Sequence, residues 1–555
     1  MRPAPARAYG ETVGAAVVFA VAAGFLAWTA LPGLHWHDTG EFAAVAWRLS
    51  VSHAPGHPLH AVVTRAVQEI PWGDGYLRAN LASGLCVAAA LALFFGLLRR
   101  LVPQAPRWAA GVAALVPVVL PAVWLQGVRA EVYGLQLLLA VVCGRLAWAV
   151  AGGDRRAVVA LGLAFGLAGA NHHLVGLSLL PVAVLAMVHG RVGLRGVGWG
   201  TAGGVLGLLT YAFLPLRARA GGEVGWGMPV DGSGIVETVL AREWVGADPA
   251  TRVPVDLLEN TQQIAAWIME QAGLWGALVL FLGFALGLPG ALRAQRSALV
   301  GLAVAAAGVA ATRYLTPFDA LNPDMGGYLA ALLVALVGLA YVCMAHMPGL
   351  GVRGTGLWVL VAGLVAPGFD PEGRQGARVA DAYGRAVLEA APTDGALGLG
   401  DYATWFVGWG LRAVEGARPD VGMVFRGREE SAWLWERLGQ VRPDLVALRA
   451  QWPGGAWDGF TLHEPGPLGA PGVMVLPRAA DFAPLVVGVP DLDSRRFLGL
   501  HHLHRALALG KVGAVAEARA HLAAARALVG DDEALDEALR GLPPGRSPDG
   551  VVHPK

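Results

Sequence analysis

The sequence predicts a polytopic α-helical membrane protein with about eleven spanning helices, followed by a soluble α/β region and a helical hairpin. Three observations predict this class. Of 555 residues, 55% are hydrophobic and 15% charged, with mean hydropathy +0.51, whereas ordinary soluble domains carry about 25% charged residues. The apolar residues gather in runs long enough for a bilayer core, which takes about 20 per helix. Arginines collect in alternate connecting segments, as the positive-inside rule requires. Lys+Arg (42) and Asp+Glu (41) nearly cancel, which excludes a basic nucleic-acid-binding face; the bilayer is the expected surrounding. Cys86, Cys143 and Cys343 all lie inside apolar runs, which excludes a disulfide framework or a CxxC metal knuckle.

The expected spans cover about 12–31, 77–98, 107–125, 132–151, 157–170, 174–188, 197–215, 273–292, 297–312, 328–346 and 354–368. The fifth and sixth are short enough to be tilted or partly re-entrant. With the N-terminus inside, the short inner segments hold Arg99, Arg100, Arg155, Arg156, Arg191, Arg195, Arg293 and Arg296. Eleven crossings then place the chain after residue 369 outside. The expected domains are a membrane domain over 1–369, with large outer loops 32–76 and 216–272, an extracytoplasmic α/β domain over 370–490, and a tetratricopeptide-like hairpin and tail over 491–555. The stretch at 42–51 reads as an amphipathic helix lying in the membrane interface, and 254–271 also reads as amphipathic, with Leu257, Leu258, Ile264 and Trp267 on one side. The expected location is the bacterial inner membrane.

Polar clusters interrupt the apolar pattern only on the outer side, at His35–Glu41, Ser52–Pro58, Arg129–Tyr133, Asn171–His173, Leu214–Arg217 with Trp226, and Asn322–Tyr328. Charges near membrane helices are costly unless used, so a shared cavity is expected. Asp38 and Glu41, spaced i and i+3, share a helix face. A carboxylate there takes a proton from an acceptor hydroxyl, or Asp38 or Thr39 caps the helix that follows. His53, His57, His172 and His173 suit hydrogen bonds to a sugar or phosphate. With carboxylates they also suit a divalent metal, the one candidate cofactor. Arg129 and Arg217 match phosphate oxygens bidentately, or snorkel to the interface. Glu131, Tyr133, Trp226, Asn322 and Asp324 complete the expected site.

The run HDTGEFAAVAWRLSVSHAPGHPLH resembles the opening signature of a family of multi-spanning proteins related to protein O-mannosyltransferases, the IPT-domain O-mannosyltransferase-like transmembrane family. Asp38, Gly40, Glu41, His53, Pro55, Gly56 and Pro58 carry the match. It continues through PWGDGYLRANLASGL, RAEVYGLQ, NHHLVGLSLLP and YAFLPLRA, and more weakly through NPDMGGYL and the Asp401, Arg418, Pro419, Asp420 pattern. The resemblance implies a GT-C glycosyltransferase fold and a polyprenyl-phosphate-linked sugar as donor on the extracytoplasmic side. It also implies an acidic residue of the first outer loop, here Asp38, at the reaction centre. The sequence departs from protein mannosyltransferases in having Asp-x-x-Glu where they have adjacent Asp-Glu.

The function expected is therefore inverting transfer of a hexose, such as mannose, from polyprenyl phosphate to a hydroxyl of a protein, lipid or glycan. Two alternatives belong to other classes. One is a flippase that moves a lipid-linked sugar without chemistry, for which matched, broken helix repeats are the usual sign. The other is a membrane scaffold acting through its C-terminal hairpin.

Overall fold

The computed structural model describes residues 5–242, 255–315 and 322–347, then 376–389, 396–399, 402–425, 494–499 and 515–530 with scattered single residues. Among them, seven helices are long and apolar enough to cross a membrane: Tyr9–Thr29, Gly75–Leu101, Val132–Ala151, Leu194–Ala220, Leu257–Ala294, Arg296–Tyr314 and Pro323–Met344. An eighth forms if the pair Arg107–Val119 and Pro121–Val128, bent by 75°, is one span. The bend falls at Pro121, which cannot donate to the preceding turn, and the freed Ala122 N–H donates to Gln271 Oε1 at 2.8 Å. The expected fifth and sixth spans appear as the shorter apolar helices Ala157–Asn171 and His173–His189. The described residues thus hold seven long apolar helices, the bent pair and two shorter ones at expected positions; the expected span at 354–368 lies outside them apart from Val361.

The chain divides into two compact units. The first holds 1–31, 45–220 and 225–371. Its centre is formed by Gly75–Leu101 and Pro323–Met344, whose apolar windows are 67% and 78% buried, whereas Leu194–Ala220 is 17% buried and turns its leucines and valines outward, as lipid contact demands. Helix Ala157–Asn171 packs closely on Leu194–Leu208. A Cβ at Gly162 or Gly166 would collide with the carbonyls of Gly200 and Gly204, the close approach that small residues allow in membranes.

The two amphipathic stretches fold as helices in different surroundings. Helix Thr39–Arg48 buries Phe42 through Ala46 on all sides, so protein, not the interface, surrounds it. Residues 257–272 form the second, which a kink at Gly273 (φ 64°, ψ 162°) separates from the apolar helix running on to Ala294. Ile264 and Trp267 are buried while Leu257 and Leu258 are exposed.

The second unit holds 32–44, 221–224 and 372–555, so short pieces of both outer loops belong with the C-terminal region. Strands Ala396–Leu399 and Gly422–Phe425 pair in parallel, joined through helix Tyr402–Gly410, since parallel strands need a crossover. Helices Gly376–Glu389 and Val515–Val529 are also described. Most of the expected hairpin lies outside the described residues.

Candidate functional site

Asp38 and Glu41 lie at the start of helix Thr39–Arg48, within the second unit. The Asp38 carbonyl accepts the Phe42 N–H at 2.9 Å, which makes Asp38 the residue at the helix mouth. Gly40 admits the helix against the backbone of Phe406, where a Cβ would collide. Trp36 stacks on Phe497 at 4.8 Å and donates to Ser494 Oγ at 2.8 Å, fixing the approach to the signature. The carboxylate oxygens of Asp38 and Glu41 lie within 4.8 Å of one another, close enough for one divalent cation to take both. In the same unit Arg418 pairs with Asp420 at 2.8 Å and donates to the carbonyls of Leu388 and Ala391. Asp401 lies outside the described residues.

The first unit assembles the other clusters. His57 Nδ1 meets the Asn171 carbonyl at 2.5 Å. A carbonyl only accepts, so Nδ1 carries the proton and Nε2 is the acceptor nitrogen. Asn171 in turn donates to Val132 O at 3.1 Å and Gln136 Oε1 at 2.9 Å, which ties the histidine turn to helix Val132–Ala151. His172 follows Asn171 and lies within 5–6 Å of His57, His173, Tyr133 and Tyr328, ring to ring. His53 meets His57 at 5.3 Å and Trp226 at 6.3 Å. The Trp226 segment is itself held by its N–H on Val51 O at 2.8 Å. Gly327 lets helix Pro323–Met344 close on the Tyr133 ring, where a Cβ would collide.

Burial keeps the imidazoles neutral. It holds His57 well below its ordinary value of 6.5, helped by His53 and His172. It also lowers His172 to about 3, with His173 and Arg313 adding to the effect. The Nδ1 atoms of His172 and His173 are buried without a hydrogen-bond partner among the described residues, so each offers a polar atom to a ligand.

The predicted arginines sit differently. Arg129, fully buried, pairs with Asp324 at 2.9 Å and Glu131 at 3.5 Å; Asn322 caps the helix that carries Asp324. Arg217 donates to the carbonyls of Leu49 and Arg48 at the end of helix Thr39–Arg48. A third arginine escaped the sequence reading. Arg313 is 4% exposed, lies 3.7 Å over the Tyr328 ring and donates to Met325 Sδ at 3.0 Å. No carboxylate pairs with it among the described residues. Its only sequence signal is a cation closing an apolar run, the mark of an interface anchor.

Residues 38–193 match the family model for the protein O-mannosyl-transferase TMEM260 N-terminal domain. Over 181 residues the chain is 32% identical to protein O-mannosyl-transferase TMEM260 of Mus musculus, a stretch covering 31% of this chain and 25% of the mouse protein. Among solved structures, ArnT from Cupriavidus metallidurans bound to undecaprenyl phosphate superposes with TM-score 0.52 at 14% identity, over 82% of this chain and 92% of that one. Its apo state gives 0.53 at 14% identity, over 78% and 89%. Residues 38–193 are thus similar to the N-terminal domain of an O-mannosyl-transferase, and the fold of the chain is like that of ArnT. The sequence match runs from Asp38 through the histidine turn to His172 and His173. The fold likeness extends over most of the chain at an identity that speaks for fold alone.

Proposed function

We propose that this protein is an inverting membrane glycosyltransferase that moves a hexose, such as mannose, from a polyprenyl-phosphate donor to a hydroxyl acceptor on the extracytoplasmic face. The observation that carries the reading is Arg313, a buried guanidinium facing His172 and two tyrosines with no carboxylate paired to it among the described residues. A buried cation is costly without an anion, and a phosphate supplies one in a geometry that guanidinium matches. Beside this cluster, an apolar slot of about 390 Å³ passes His173 and runs between helices Ala157–Asn171 and Leu194–Leu208, from Gly169 to Val158. That is roughly 16 Å of helix. It suits a long apolar tail of the kind carried by the undecaprenyl phosphate bound to ArnT.

In this reading Arg313 holds the donor phosphate, and His53, His57, His172 and His173 orient phosphate and sugar. Tyr133, Trp226 and Asn322 line the approach, and the Arg129–Glu131–Asp324 group keeps the helix ends in place. Asp38 takes the proton from the acceptor hydroxyl as its oxygen bonds to the anomeric carbon. The bond from that carbon to the phosphate oxygen breaks, and polyprenyl phosphate leaves with the electron pair. Glu41 shares with Asp38 any divalent cation the reaction uses. Eleven crossings over 1–369, an extracytoplasmic α/β domain over 370–490 and a hairpin over 491–555 complete the proposal, with a protein, lipid or glycan as acceptor. The test is to incubate the purified protein with a panel of polyprenyl-phosphate sugars and acceptors. Release of polyprenyl phosphate is expected. Movement of the lipid-linked sugar across proteoliposomes without release would overturn the enzyme in favour of a flippase.

A further inference from the structure

The end of the membrane bundle away from the histidines holds a cavity of about 570 Å³ that the proposed reaction does not use. Helices Gly75–Leu101, Val132–Ala151, His173–His189 and Arg296–Tyr314 each reach it at one end, which in the last three is the end opposite Tyr133, His173 and Arg313. Arg296 and Arg313 close the two ends of one helix, roughly 25 Å apart. The walls are apolar, with Leu97, Trp148, Leu185 and Leu302 among them, and the rim carries His189 and Arg296. Both rim residues are exposed, and neither has a hydrogen-bond or ion-pair partner among the described residues. The helix that begins at Arg296 has no side-chain cap, so its first N–H groups add positive potential at the same rim. The volume lies within the range of about 300–1,000 Å³ typical of sites for one small ligand.

An apolar chamber inside a membrane bundle with a cationic rim is complementary to one kind of neighbour, an amphiphile with an apolar chain and an anionic head. We propose that this cavity binds one acyl chain of an anionic phospholipid, whose phosphate rests on Arg296 and His189. The proposal does not depend on glycosyl transfer.

Gly301 gives a clean test, because a Cβ there meets nothing within 4 Å while the residue lines the cavity. Gly301→Leu therefore narrows the cavity by a four-carbon side chain whose Cβ displaces no protein atom. The full-length protein would be exchanged into nanodiscs of phosphatidylcholine with or without phosphatidylglycerol, and retained lipid counted by native mass spectrometry after release. The wild type should retain phosphatidylglycerol over phosphatidylcholine by about fivefold, the worth of roughly one cation near a headgroup. Gly301→Leu should lower total retention by about tenfold, since it takes the place of roughly two buried methylenes of the chain. Arg296→Gln should keep lipid but lose the preference. Equal retention of the two lipids by the wild type, or unchanged retention in Gly301→Leu, would overturn the proposal. So would displacement by inorganic phosphate alone, which would make this an anion site without a lipid. If Gly301→Leu does not fold, quenching by brominated-chain phosphatidylglycerol, read as the difference between wild type and Trp148→Phe, decides the question: a clear Trp148 contribution supports the site and its absence removes it.

Discussion

Two buried arginines in the same membrane unit are stabilised by different company. Arg129 sits in a closed group, with the carboxylates of Glu131 and Asp324 at 3.5 and 2.9 Å. Arg313 rests on a thioether at 3.0 Å and a tyrosine ring at 3.7 Å. Sulfur and ring both attract a cation, the ring by about 2 kcal/mol when desolvated, which is well short of what a carboxylate returns. Burial is nearly equal in the two, so burial does not mark the ligand site. The chemistry of the partners does. Arg129 has two carboxylates against its charge; Arg313 has none among the described residues, which leaves positive charge for an anion to use.

The largest effect expected belongs to neither arginine. Asp38→Asn keeps size and helix position but removes the base, so release of polyprenyl phosphate should fall by about two to four orders of magnitude while the protein stays folded. Turnover close to wild type would remove Asp38 as the proton acceptor. Next comes a crossed pair. Arg129→Gln leaves Glu131 and Asp324 facing each other without their cation, and should cost about 3–5 kcal/mol of stability, read as lost yield or a lowered melting temperature. Arg313→Gln should leave the melting temperature near wild type or raise it, yet weaken donor use by about 10–100-fold, the worth of one charge-assisted hydrogen-bond pair. If Arg313→Gln unfolds the protein and Arg129→Gln spares it, the comparison is reversed.

Much of this was legible in the sequence, for a physical reason. A spanning helix needs a long apolar run, and every described long helix overlaps an expected one. Segment 254–271 and the span after it are separable in the sequence, because the amphipathic pattern gives way to a continuous apolar run at Gly273, where the backbone leaves helical geometry (φ 64°, ψ 162°). The convergence of His53, His57, Tyr133 and His172 could be expected from topology, since all were assigned to one side. Arg313 could not, because a lone cation at the end of an apolar run carries no record of the partners it lacks. The assignment of 32–44 to the second unit was equally hidden. It depends on Trp36 packing on Phe497, more than 400 residues away in the chain, and no local pattern encodes such a contact.

The histidines around Arg313 sharpen the same contrast through pH. Burial lowers His60 to about 3, His172 also to about 3, and His57 well below 6.5. All three are neutral in the folded protein, while the unfolded chain binds protons below about 6.5. Their contribution to stability is therefore whole above that value and is lost as pH falls from 6.5 toward 3, at up to about 1.4 kcal/mol per pH unit for each histidine. The melting temperature in detergent should drop between pH 7 and 5.5, and His60→Gln, which lies outside the Arg313 cluster, should shrink the drop without changing donor use. A melting temperature flat across that range would mean that these rings are charged in the fold.

Arg217 supplies the smallest effect and the finest test. Its guanidinium satisfies carbonyls left open at the end of helix Thr39–Arg48, a use in which a basic side chain completes the last turn. Lysine keeps the charge and one donor but loses the planar fork, so Arg217→Lys should cost about 1 kcal/mol of stability at most. If carbonyl capping is its whole role, the KM for the polyprenyl-phosphate sugar should stay within about threefold of wild type, well below the change expected for Arg313→Gln. A loss of donor use equal to that of Arg313→Gln would make Arg217 a second phosphate ligand. Partners seen in the fold would then no longer distinguish a structural arginine from a functional one, because a guanidinium already engaged by carbonyls would be exchanging them for the donor.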